Sequence, residues 1–287
     1  MKIEKIENEN EEEKKEEEGW ILIVPVSERG CHPPEKYKEI DDIVYKALQI
    51  HAEYVKQYLK VAVELREDAN PDIIHEVLSK TKARKVLAFG HGWYNAITAN
   101  NCKVWLSTHN IPEWVKEKIF IFVACLTGRE LCPELVKSGA IAAYGFKEPA
   151  IVLALKDMQY CRFFYAPLIG ILETAIAIEN GIPLEEAYKK GIERWINEIH
   201  YWTHFYYKER IIIGNLAYQI PPAAAQILTL VMTHNMRAYV ASLPATLHAP
   251  PLRATAKDIL ALIAGIGVTL TLIQVLQHPT FQKLATK

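Results

Sequence analysis

Two side chains in this 287-residue chain stand where chemistry can be done, His91 and Cys125, and each closes an apolar run. His91 follows Val86-Leu-Ala-Phe-Gly and precedes Gly92, whereas Cys125 follows Ile119-Phe-Ile-Phe-Val-Ala. A thiol is only partly ionised at neutral pH, and a neighbouring imidazole can take its proton and deliver one to a leaving group. The chemistry implied is acyl transfer through a sulfur nucleophile. Gly92 leaves room for a substrate backbone, and its N–H together with that of Cys125 would supply an oxyanion hole. The segment from Leu126 to Glu130 is expected to lead into a helix whose N-terminus favours a thiolate and a developing oxyanion.

The elements that must position this pair can be read from pattern. Both runs are short, rich in β-branched and aromatic residues, and bounded by polar or Gly signals, as in central parallel strands covered on both faces. Earlier in the chain, residues 20–26 read as a first strand and 61–65 as a second. Between them, apolar residues from Ile40 to Leu59 recur at helical spacing over residues 35–58. Asn70-Pro71-Asp72 carries a helix start, a capping residue followed by Pro in the first turn. Strand, helix, strand, helix, strand is the doubly wound α/β pattern, and its chemistry gathers at the carboxyl ends of strands. Residues 96–107 read as a surface hairpin around Asn100-Asn101, and 111–118 as a short helix. Two helices are expected over 161–180 and 183–207, a third from Pro221 to about Asn235, and a last strand over 237–242.

At the level of these blocks the chain resembles the caspase-like cysteine peptidases of clan CD, nearest the gingipain and CHAT-domain branch. The likeness rests on a strand ending in His91-Gly92, a second ending in Ala124-Cys125, then Thr127-Gly128, a helix, and Ser138-Gly139-Ala140 running to Gly145. It covers roughly residues 85–149. The resemblance implies a three-layer α/β sandwich with a mainly parallel sheet over residues 19–243. It also implies cysteine endopeptidase activity through a thioester acyl-enzyme, with Cys125 as nucleophile and His91 as general acid and base, acting on a protein or peptide without a cofactor. At the far end this chain has Ser242-Leu-Pro-Ala where many relatives have a Gly-Asp-Pro turn. A catalytically inactive scaffold or interaction protein of the same fold is the alternative reading.

Other residues were weighed as sites. Arg29, in a loop after the first strand, and Glu148, in the loop after Gly145, are candidate substrate contacts. Cys31-His32 sits beside two prolines without partner ligands and reads as ordinary loop. His200 and His204 lie four apart on one helix, with Glu193 or Glu198 near that face, which supplies a rival reading as a metal-dependent hydrolase. No HExxH pattern or third ligand accompanies them, and no metal is assigned.

Thirty-three basic and thirty-four acidic residues nearly cancel, so no global charge recruits nucleic acid. Five cysteines without a CxxC pair and no signal peptide point to reduced thiols and a cytoplasmic setting. Residues 1–18 alternate Glu and Lys with almost nothing apolar and read as a disordered tail. Residues 244–258 read as a proline-bearing linker, and 259–276 as 18 residues without a charge. As a helix that run spans about 27 Å, against a bilayer core of about 30 Å, and its apolar character runs around the whole circumference. It reads as a tail anchor with the catalytic domain facing the cytosol, the competing expectation being a helix packed on the domain. Full-length protein is therefore expected in the membrane fraction and a chain ending at Pro251 in the soluble fraction. Detergent-free solubility of the full-length form would reject the anchor.

Overall fold

The computed structural model describes residues 19–26, 38–148, 165–166, 168–204, 209–213, 216–220, 232–242 and 247–248; at 38–45, 202–204, 209–220 and 248 only the backbone is described. The stretches read as tail, substrate loop with Arg29 and apolar run 259–276 lie outside these residues, as does 221–231 of the expected third helix, of which 232–235 are helical. Among the described residues, no helix is long and apolar enough to cross a membrane.

The core is a mixed α/β arrangement on a seven-stranded sheet in the order β12-β11-β8-β7-β3-β1-β2. Its parallel part comprises β1 (Trp20–Ile23), β2 (Val61–Leu65), β3 (Lys85–Phe89), β7 (Ile119–Val123) and β8 (Ala142–Phe146). Strand β11 (Met236–Val240) pairs antiparallel with β8, and β12 (Leu247–His248) pairs antiparallel with β11. Thus two residues of the expected linker belong to the edge of the sheet.

Alternation along each strand divides the core into two halves. Trp20, Leu22, Leu87, Phe89, Ile121, Val123 and Tyr144 pack with helices α1 (Lys38–Lys56), α4 (Ile169–Glu179) and α5 (Leu184–His204). Ile21, Ile23, Val86, Ala88, Phe120, Phe122 and Ala143 pack with α2 (Pro71–Lys80) and α3 (Leu131–Lys137) on the other face. Both faces being covered explains why the strands are apolar throughout rather than alternating. The buried hydroxyls are satisfied: Tyr144 donates to Leu184 O at 3.0 Å and Tyr188 to Met236 O at 3.0 Å. Asn70 caps α2 as expected, its side chain accepting from the Ile73 N–H at 3.2 Å, with Pro71 in the first turn.

Several local expectations are corrected. Residues 111–118 form only a 3-10 turn at Glu113–Val115, because Lys116 leaves helical geometry and Glu117 takes φ +62°. The hairpin has three strands rather than two, β4 (Gly92–Trp93), β5 (Ala96–Thr98) and β6 (Val104–Ser107). It is not simply a surface element, since Ile97, Trp105 and Leu106 are buried in the core. A further antiparallel pair, β9 (Glu209–Ile213) with β10 (Leu216–Ile220), was not anticipated. The intervening sequence pair Gly214-Asn215 was the available signal. Cys102 is disulfide-bonded, against the expectation of five reduced thiols.

Asn100 ties the hairpin to the strand ends. Its Nδ2 donates to Arg66 O at 2.7 Å and Glu67 O at 3.0 Å, while its Oδ1 accepts from Val26 N–H at 2.7 Å. Only an amide offers two donors and an acceptor on so short a side chain. Asn100→Ala is expected to lower the unfolding free energy by about 1–3 kcal/mol by leaving buried backbone groups unpaired. Asn100→Asp should cost more despite its matching shape, because an acceptor would face two carbonyls. Urea midpoints of the two variants check the order.

Candidate active site

Strands β3 and β7 are direct parallel neighbours, with Phe89 opposite Val123. His91 and Cys125 each follow that last pair by two residues. They therefore leave adjacent strands at the same level, at the carboxyl edge. His91 is not part of the strand, which stops at Phe89. Its carbonyl accepts from the Thr98 N–H at 2.9 Å and the Thr98 hydroxyl at 3.1 Å, so β5 holds the histidine backbone in place. The ring is half-buried, and that burial pulls its pKa below the ordinary histidine value.

Gly92 is the contact between the two exits. A Cβ built there would collide with the Cys125 carbonyl oxygen and lie 2.9 Å from Thr127 Cγ2 and 3.0 Å from Ala124 Cβ. Only hydrogen fits at this approach. Cys125 is half-buried and forms no disulfide. Cys132 is also free, but it is fully buried and its thiol is pushed well above the usual range by that burial. The two sulfurs therefore have different environments.

The chain does not enter a helix straight after Cys125. It turns from Ala124 to Glu130, and α3 begins only at Leu131, so the expected helix terminus is not next to the thiol. The turn starts with Leu126 at φ +60°, a left-handed conformation uncommon for a residue with a Cβ. Neighbouring segments fix this turn. Gly128 N–H donates to Phe146 O at 2.9 Å, Leu126 N–H to Glu148 O at 3.4 Å, and the Tyr239 hydroxyl to Gly128 O at 2.6 Å. Gly145 makes the close packing possible, since a Cβ there would lie 2.7 Å from both Cys132 Sγ and Thr127 Oγ1.

Glu148 comes near this turn, but its carboxylate is engaged. Arg129 Nη2 reaches both of its oxygens at 2.9 Å, and Arg129 Nε donates to Lys147 O at 2.6 Å. Sequence reasoning missed this partner, because nothing in the spacing of Arg129 and Glu148 pairs them. Of the rival metal set, His200 and Glu193 are exposed, Glu198 is wholly buried, and the His204 side chain lies outside what is described. Among the described residues, no three His, Cys, Asp or Glu side chains converge as a metal site.

No family model matches the chain, and no curated protein does. Four chains of solved structures match. One of them, the Arg-specific cysteine proteinase gingipain R, is 13% identical with a TM-score of 0.40 over 65% of this chain. The chain spans 44% of that proteinase's chain, less than half of it.

Gly92→Ala tests the packing directly. The added methyl must push β4 away from Cys125, and overpacking of this kind costs about 1–3 kcal/mol. Urea unfolding should show that loss, and alkylation of Cys125 by iodoacetamide, mapped by mass spectrometry, should change in rate while Cys132 stays unlabelled in the folded state. Wild-type stability and wild-type labelling in this variant would show that the approach is not a constraint.

Proposed function

We propose that the protein is a cysteine endopeptidase of caspase-like fold, with His91 and Cys125 as its dyad. The observation that carries this reading is the register of β3 on β7, which brings both residues out of neighbouring strands at the same level. The crevice outside the carboxyl ends, where strand order reverses between β1 and β3, is where open α/β sheets bind ligands. The left-handed Leu126 gives further support, since backbone held in a sparsely populated region collects at functional turns.

In this mechanism Cys125 Sγ attacks the carbonyl carbon of the scissile peptide as His91 accepts the thiol proton. The carbonyl π bond opens to an oxyanion, which the N–H groups of Gly92 and Cys125 receive. Collapse of that intermediate breaks the C–N bond, His91 delivers the proton to the departing amine, and a thioester remains on Cys125. Water, deprotonated by His91, then releases the acid and restores the thiol. The lowered pKa of His91 suits the first step. It favours the neutral ring, which is able to accept a proton.

Cys125→Ala is expected to reduce cleavage of a mixed peptide library by about 10⁴-fold or more, whereas Cys132→Ala should leave it near wild type. The pH profile of kcat/KM supplies a second readout from the same assay. Protonation of His91 removes the base, so activity should persist down through the ordinary histidine range and fail only below it. Full activity in Cys125→Ala would sink the mechanism.

A further inference from the structure

We propose, resting on the peptidase reading, that Trp93 and Tyr94 form the specificity wall of the site and select substrates with a large apolar or aromatic side chain beside the scissile bond. These residues follow His91-Gly92 directly and make the tip of the β4-β5 hairpin. Four large hydrophobic side chains are conspicuously exposed among the described residues: Tyr58, Trp93, Tyr94 and Val104, with 51%, 42%, 49% and 47% of their surface open. Two of these four, Trp93 and Val104, lie in the small sheet that contains Gly92, and Tyr94 lies in the turn between β4 and β5. A Trp or Tyr left open to water gains from being covered by apolar surface, and its ring and polar tip suit a peptide partner.

The tip is held against the nucleophile's own loop. Gly92 packs on the Cys125 carbonyl, and two residues later the Tyr94 carbonyl accepts the N–H groups of Glu130 at 3.1 Å and Leu131 at 2.8 Å. Thr108 N–H donates to Asn95 O at 2.9 Å, bracing the turn from the β6 side. The backbone carrying the aromatic pair is thus held against the Cys125 turn beforehand, and binding need not order it.

Charge selection has no comparable support. Both carboxylate oxygens of Glu148, whose main chain closes the Cys125 turn, lie 2.9 Å from Arg129 Nη2, so a basic substrate side chain would have to displace an existing pair there. The expected substrate therefore differs from the arginine preference printed for gingipain R.

Two measurements separate this inference from the peptidase reading. Fluorescence anisotropy on full-length Cys125→Ala would compare peptides identical except for Phe, Leu, Lys or Gly at the positions flanking one bond. The Phe and Leu peptides should bind about tenfold tighter than the Lys and Gly peptides. Adding Trp93→Ala should erase that difference, and adding Trp93→Phe should retain most of it. Wild-type turnover of the same peptides should follow the same order. Equal or tighter binding of the Lys peptide, or a loss in Trp93→Ala that is uniform across the set, would overturn the wall. Selective binding of Phe peptides without wild-type cleavage would uphold the wall and overturn the peptidase reading instead.

Discussion

The in-register parallel pairing of β3 and β7 is the constraint on which the rest of this structure depends. Two chain segments far apart in sequence are brought level by a ladder from Lys85 opposite Ile119 to Phe89 opposite Val123. Because side chains alternate with period two, a slip of one residue would turn every side chain of one strand to the opposite face and shift the level at which the chain leaves the sheet. The slip is opposed by burial on both sides. Leu87, Phe89, Ile121 and Val123 fit one half of the core, and Val86, Ala88, Phe120 and Phe122 fit the other. Either mismatch would expose large apolar side chains in one layer while overpacking the other.

A sheet sets where a chain leaves it, and loops then have to be held. Here the holding is done by backbone groups whose burial makes an unpaired state costly. Asn100 joins the ends of β1 and β2 to the hairpin, Thr98 grips the His91 carbonyl, and residues 146–148 take up the N–H groups of the Cys125 turn. Gly92 and Gly145 serve the same end by subtraction. Each lies where a methyl group would meet backbone or a packed side chain, so the close approach exists only because no side chain is there.

Environment rather than residue type separates the sulfurs. Cys132 is sealed in the core with its ionisation suppressed, Cys125 stands half-open at a strand end, and Cys102 is oxidised into a disulfide. The same holds for the histidine at the site. Burial lowers the pKa of His91 below the ordinary histidine value. A reading of charge from sequence alone assigns each of these groups an ordinary pKa, since desolvation is a property of the packed surroundings.

The amino-acid sequence by itself determined the parallel strands, the cap at Asn70, the helix over most of 38–56 and the positions of His91 and Cys125 at the ends of apolar runs. Those features are written in local pattern: periodicity, β-branching, a capping residue before Pro. It misjudged 111–118, where helical composition over eight residues is too short to overcome a left-handed Glu117, and it overlooked β9 and β10, whose marginal pattern sits beside a strongly helical one. Only the tertiary structure decided that Asn100 is a buried clamp rather than a turn, that Arg129 neutralises Glu148, that α3 starts away from the thiol, and that Leu247–His248 joins the sheet. Each of these depends on what lies across space from a residue, and the sequence spacing between such partners carries no signal because loops may close over any length at little extra entropic cost.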